Sequence, residues 1–216
     1  MSAAMTGVEV FVDPSCPWAW ITSRWVKEVA PHRDLDVRWR SYCLEIRDEY
    51  EVPATVPEHL REVAMAGRAL SHRMLRIFES VRARKGEQAV DALYTEWGRR
   101  FFAGPPAPEA GLPSECLAAC GLDTDLLEAA DDTVLDRTIH DSMEVAYAFG
   151  GPKSQTPVIV VGTDPPHGFK GPVMASAPTG QAAVRFWDAV GVLGREGAFF
   201  EITRPRTQAP RPAGPG

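Results

Sequence analysis

Asp13-Pro14-Ser15-Cys16-Pro17-Trp18-Ala19-Trp20 is the stretch on which the fold turns. Just before it, residues 8–12 alternate and are β-branched, which predicts a strand. Asp13-Pro14 ends that strand. Ser15 offers a cap and Pro17 suits a first helical turn, so residues 17–30 are expected to form a helix closed by Pro31. Cys16 then sits at a strand-to-helix junction, where unpaired backbone amides and the helix dipole favour a thiolate. Such placement can lower a cysteine pKa to roughly 3.5–7.5. The thiolate is the nucleophilic form, so Cys16 is a candidate nucleophile, against the plainer reading of a small cysteine buried at a helix cap.

Working outward, residues 36–42 read as a second strand with Val37, Trp39 and Ser41 on one face. Leu60, Val63, Gly67, Leu70, Met74, Ile77 and Val81 form one apolar stripe, which predicts an amphipathic helix over 57–85. A helix over 88–102 follows, then a Gly/Pro break at 104–108. Shorter helices are expected at 114–119 and 124–129. A further helix over 132–149 is closed by Gly150-Gly151-Pro152. Strands return at 157–161 and 169–171 around a hairpin connection, Thr179 caps a last helix over 180–193, and residues 199–202 are expected against the core. The order is strand, helix, strand, helical block, strand, strand, helix. That is the thioredoxin order with helices inserted between the second and third strands. The fold class is therefore α/β. Residues 1–44 and 152–203 form a discontinuous thioredoxin-fold domain, residues 45–151 an inserted all-helical subdomain, and the Arg/Pro-rich residues 204–216 a disordered tail.

Composition narrows the function. The 216 residues carry a formal net charge of -6, which argues against a nucleic-acid surface or docking on anionic lipid. The N-terminus lacks the basic and apolar regions of a signal peptide, and no apolar run reaches bilayer length. A cytoplasmic protein is expected, with a small-molecule partner, no nucleic acid and no membrane; a homodimer stays open. In a reducing compartment Cys16, Cys43, Cys116 and Cys120 are not a disulfide framework. The last three read as packing residues. The five histidines lack metal-ligand spacing, so no metal site is expected.

Gln155-Thr156-Pro157 enters the third strand, where proline sacrifices no ladder donor. In thioredoxin folds a proline here is cis and faces the nucleophilic cysteine. With Cys16-Pro17-Trp18 it makes a specific pair. On these residues, and on Trp20-Ile21-Thr22-Ser23-Arg24-Trp25, Leu93-Tyr94-Thr95, Gly171-Pro172-Val173, Pro178-Thr179-Gly180 and Phe199-Phe200-Glu201, the chain resembles the DsbA/FrnE branch of thioredoxin-fold proteins. It resembles in particular the actinobacterial mycothiol-dependent reductases. The resemblance implies Cys16, Pro17 and Trp18 as catalytic residues, and Thr156 and Pro157 at the substrate. Trp20 is a further substrate-side candidate. Arg24 could attract an anionic substrate or thiol, against a surface ion pair. His167, expected in the hairpin on the active-loop side, could act as acid or base, against a merely exposed histidine.

One departure matters. The relatives carry cysteine at both ends of the four-residue motif, and here the second position is Ala19. A cysteine there would lie nearly one helical turn on and face the same sulfur. It would normally attack a mixed disulfide and free the substrate. Without it, three functions stay open. A monothiol oxidoreductase would use no tightly bound cofactor and be resolved by an external thiol, which the resemblance implies to be mycothiol-like. A redox-neutral isomerase, resembling 2-hydroxychromene-2-carboxylate isomerases, would add the thiolate reversibly to a conjugated double bond. A non-catalytic binding protein would keep the fold and lose turnover.

Overall fold

The computed structural model describes residues 5–54, 56–103, 109–162 and 164–212. Its organising strand is β1 (Thr6–Val12), in which Val8, Val10, Phe11 and Val12 are all buried. β1 lies parallel to β2 (Leu35–Ser41), pairing Val10 with Trp39, and the helix α1 (Pro17–Arg33) makes the crossover between them. On its other side β1 pairs antiparallel with β3 (Val158–Val161), Phe11 opposite Val158 and Val8 opposite Val161. β3 pairs with β4 (His167–Lys170), giving the order β2-β1-β3-β4. This is the thioredoxin fold expected from the element order.

Between β2 and β3 run a single turn, α2 (Leu44–Arg47), and then α3 (Arg61–Lys85), α4 (Glu87–Phe101), α5 (Leu112–Ala119) and α6 (Asp136–Gly150). α6 packs across the strands, while the last helix, α7 (Gly180–Arg195), pairs with α1. One continuous apolar cluster joins the sheet to these helices, taking in Val10 and Ile159 as well as Met74, Leu93, Trp97 and Leu117. Buried indoles supply much of it, and each needs a partner for its N–H. Trp25 donates to the Ala183 carbonyl at 3.0 Å, Trp39 to Asp91 Oδ1 at 2.7 Å and Trp97 to the Pro14 carbonyl at 3.0 Å. Among the described residues no helix is long and apolar enough to cross a membrane.

Several boundaries move. Pro31 lies inside α1 rather than closing it. It removes one amide donor, and the helix runs on to Arg33 before Asp34, left-handed at φ 47°, returns its N–H to the Ala30 carbonyl. The stripe expected from residue 57 begins as a 3-10 turn, with the α-helix starting at Arg61, and residues 124–131 are 3-10 rather than α. Asp132 caps a 3-10 turn before α6 by accepting from the Val134 N–H. Phe200 and Ile202 do not pack on the core: they are 91% and 76% exposed. α7 buries only Ala183 and Val184, so the chain leaving it starts at the surface. Residues 204–212 carry neither helix nor strand, yet the Arg211 N–H donates to the Ala175 carbonyl at 2.8 Å. The break at 104–108 lies outside the described residues.

α1 and α4 meet at Gly98. A Cβ there would stand 2.2 Å from the Trp20 ring, so the glycine is required by close approach. Gly98→Ala is expected to destabilise the fold by about 1–3 kcal/mol through overpacking. Chemical denaturation measures this, and an unchanged midpoint would mean that the indole can move aside.

Candidate active site

Cys16 is the N-cap of α1, in extended conformation. Its N–H donates to the Asp13 carbonyl at 2.9 Å and its own carbonyl accepts the first helical bond, from Trp20, at 3.0 Å. Across from it, the Thr156–Pro157 peptide is cis. The Thr156 hydroxyl donates to the Phe11 carbonyl at 2.6 Å, which pins this turn to the end of β1. The Thr156 carbonyl accepts from Cys16 Sγ at 3.9 Å.

The loop before Cys16 is held by a buried carboxylate. Asp13 Oδ1 accepts from the Ser15 N–H at 2.7 Å, the Ser15 hydroxyl at 2.6 Å and the Ser71 hydroxyl of α3 at 2.7 Å. Oδ2 accepts from the Leu44 N–H at 2.7 Å, the entrance to α2. Buried charge is tolerated when hydrogen-bonded in this way. The sequence marked Asp13 only as a strand terminator; beyond its local bonds to Ser15, its partners come from residues 31 and 58 positions away.

Above Cys16 opens a cleft of ≈ 390 Å³, within the usual range for small-molecule sites. Cys16, Pro17, Trp18 and Thr156 line it together, and Pro157 is buried next to Thr156 in the chain. The helical segment supplies the other wall through Val56, Val63 and Phe101, with Arg47 and Arg68 beside them. Arg206 reaches in from the C-terminal segment, its guanidinium 5.1 Å from the Trp18 ring centre. Sequence reasoning assigned none of these three arginines to the site, because each comes from a segment that shows no local sign of facing the cysteine.

Three expected site residues lie elsewhere. Trp20 is core: it stacks on Phe102, meets Tyr94 edge-on and is 1% exposed. Arg24 is no surface ion pair and does not reach the cleft. Its guanidinium lies 4.0 Å over the Trp20 ring and donates to Thr95 Oγ1 at 3.2 Å, clamping α1 to α4, with burial lowering its pKa. His167 opens β4 rather than lying in the hairpin. It pairs with Val161, which pairs with Val8, so it occupies the end of the sheet opposite Cys16.

The expectation of a low-pKa thiol is also overturned. Burial pushes the Cys16 thiol up to about 12, and the Asp13 carboxylate adds to the rise; the N–H groups of Ala19 and Trp18, and Arg47, pull the other way without matching it. A helix N-terminus favours a thiolate by a modest amount, whereas desolvating the charged form shifts a buried group by several units. Ala19 is fully buried one turn on. All four cysteines are free, and among the described residues Cys16 supplies the only sulfur lining the cleft. Cys43 and Cys116 are wholly buried. No group of metal-ligating side chains occurs among the described residues.

A raised thiol pKa leaves the protonated form dominant at neutral pH, so reactivity should climb with pH. Alkylation of Cys16 by an uncharged reagent is expected to accelerate about tenfold per pH unit from 7 to 9, as the thiolate fraction does. A peptide-resolved rate that levels off below pH 8 would contradict the burial argument.

Known proteins resemble this chain in sequence and in fold. The chain is 26% identical over 212 residues to the uncharacterized protein Rv2286c of Mycobacterium tuberculosis (strain ATCC 25618 / H37Rv), covering 95% of this chain and 84% of that one. In fold it is similar to the probable DsbA oxidoreductase SCO1869 from Streptomyces coelicolor, with a TM-score of 0.58, 17% identity and 97% of each chain covered. It is likewise similar to a 2-hydroxychromene-2-carboxylate isomerase, with a TM-score of 0.56, 15% identity and coverage of 88% of this chain and 95% of that one. The family model described as Rv2466c-like, mycothiol-dependent nitroreductase Rv2466c, matches residues 15–204, and the chain belongs to that family.

Proposed function

We propose that the protein is a monothiol reductase that works through Cys16 on a small molecule and is resolved by an external low-molecular-weight thiol of the mycothiol type. The observation that carries this reading is that, among the described residues, one sulfur lines the cleft, with Ala19 where a resolving thiol would stand. Family membership supports thiol-dependent reduction and a nitro group as the acceptor. The electrons balance with one protein sulfur. A nitro compound, Cys16 and one thiol give the nitroso compound, water and a Cys16–thiol mixed disulfide. A second thiol attacks that disulfide, regenerates Cys16 and leaves as the oxidised thiol dimer. Trp18 and Phe101 wall the substrate in, and the Thr156 carbonyl holds the resting thiol proton.

Protein treated with the oxidised thiol is expected to gain a single adduct on Cys16 by mass spectrometry. Cys16→Ser should lose roughly a hundredfold or more of thiol-dependent turnover, in keeping with removal of a covalent nucleophile. Failure to find the adduct would remove the reading.

The missing second thiol also favours a redox-neutral isomerase. A thiolate that adds to a conjugated alkene turns the double bond into a single bond, permits rotation and leaves unchanged. Product of unchanged mass, formed without thiol consumption, would select this reading over the first.

A further inference from the structure

We propose that the cleft is specific for a planar aromatic anion and that Arg206, contributed by the C-terminal segment, is the cation that seats its anionic group beside Cys16. This rests on the reading of Cys16 as the working nucleophile and names the substrate class that reading leaves open.

The argument begins with charge. The chain as a whole is acidic, at -6. The cleft is not: Arg47, Arg68 and Arg206 line it, and among the described residues no Asp or Glu does. Two of the three share one counter-ion. Arg47 holds Asp48 Oδ1 at 2.5 Å, and Arg68 holds Asp48 Oδ2 at 2.6 Å while also donating to the Glu51 carbonyl at 3.1 Å. Asp13, the other nearby acid, has its oxygens taken up by four donors and does not line the cleft. Arg206 pairs with no carboxylate among the described residues; it lies against the face of Trp18. A guanidinium over an indole can still offer N–H groups to a carboxylate.

Shape supplies the rest. Trp18 and Phe101 give aromatic walls, and Leu44, Val56 and Val63 give aliphatic ones. A ligand with an apolar flat body and one anionic end fits both the walls and the guanidinium over Trp18. Arg206 is placed by more than its contact with Trp18, because the Arg211 N–H anchors the same segment on the Ala175 carbonyl.

Two aromatic disulfides test the proposal. Dithiobis-nitrobenzoate bears a carboxylate on each ring, and dithiodipyridine bears no charge at neutral pH. With either, the Cys16 thiolate attacks one sulfur, the disulfide breaks, and a coloured aromatic thiolate leaves with the electron pair. The rate is read after subtracting that of Cys16→Ser, and the quantity of interest is the ratio of the two rates. Both scale with the same thiolate fraction, so a change in the Cys16 pKa cancels. Arg206→Ala is expected to lower the charged-to-neutral ratio roughly threefold or more, and Arg206→Lys to restore most of it. Added salt should shrink the native ratio toward that of the alanine variant. A ratio indifferent to residue 206, with Cys16 reacting normally, overturns this inference alone. A Cys16 that reacts with neither disulfide overturns the nucleophile reading and this inference with it.

Discussion

The buried Asp13 carboxylate is the constraint on which the site depends. It gathers the end of β1, the loop carrying Ser15, the start of α2 and the middle of α3 around two oxygens. A charge in that position is stable only with its donors in place, since each unmet bond would leave a desolvated oxygen. The Trp97 indole closes the same loop from α4 by donating to Pro14. Position and reactivity of Cys16 therefore follow from groups on four separate elements. The same burial that fixes the sulfur also holds its proton, as the rise in its pKa shows.

Besides Arg206, the cleft is lined by two parts of the chain. The sheet and α1 present Cys16 and Thr156, and the helices between β2 and β3 bring an apolar wall and two arginines. The apolar cluster runs through both without interruption, and α1 is locked to α4 by the Trp20–Gly98 approach and by Arg24. Cleft width is thus tied to core packing.

What could be read from the sequence was what local rules govern. The alternation of Val8, Val10 and Val12, the Cys16-Pro17 junction and the proline before β3 each state their geometry within a few residues. The pairing of Cys16 with Thr156 was implied by the resemblance to thioredoxin folds. Charge constellations did not. Arg47, Arg68 and Arg206 are separated by helices and by most of the chain, and Asp48 neutralises only part of their charge. His167 was misplaced because a hairpin's register, not its sequence, decides which end of a sheet a residue reaches. Trp20 was misplaced because one turn into α1 the helix has already entered the core. The low thiol pKa failed for a related reason: the helix terminus is a local feature, whereas burial depends on everything packed around it.

Ala19 has a consequence for how such a chain could change over generations. The genetic code places alanine two base substitutions from cysteine, with serine or glycine between. Position 19 is fully buried in the first turn of α1. Serine there would put a hydroxyl into an apolar site, and glycine would weaken the helix by roughly 1 kcal/mol. Each route back to a second thiol crosses a less stable protein. The packing around the Ala19 methyl group thus weighs against both one-step replacements on the way to a second thiol.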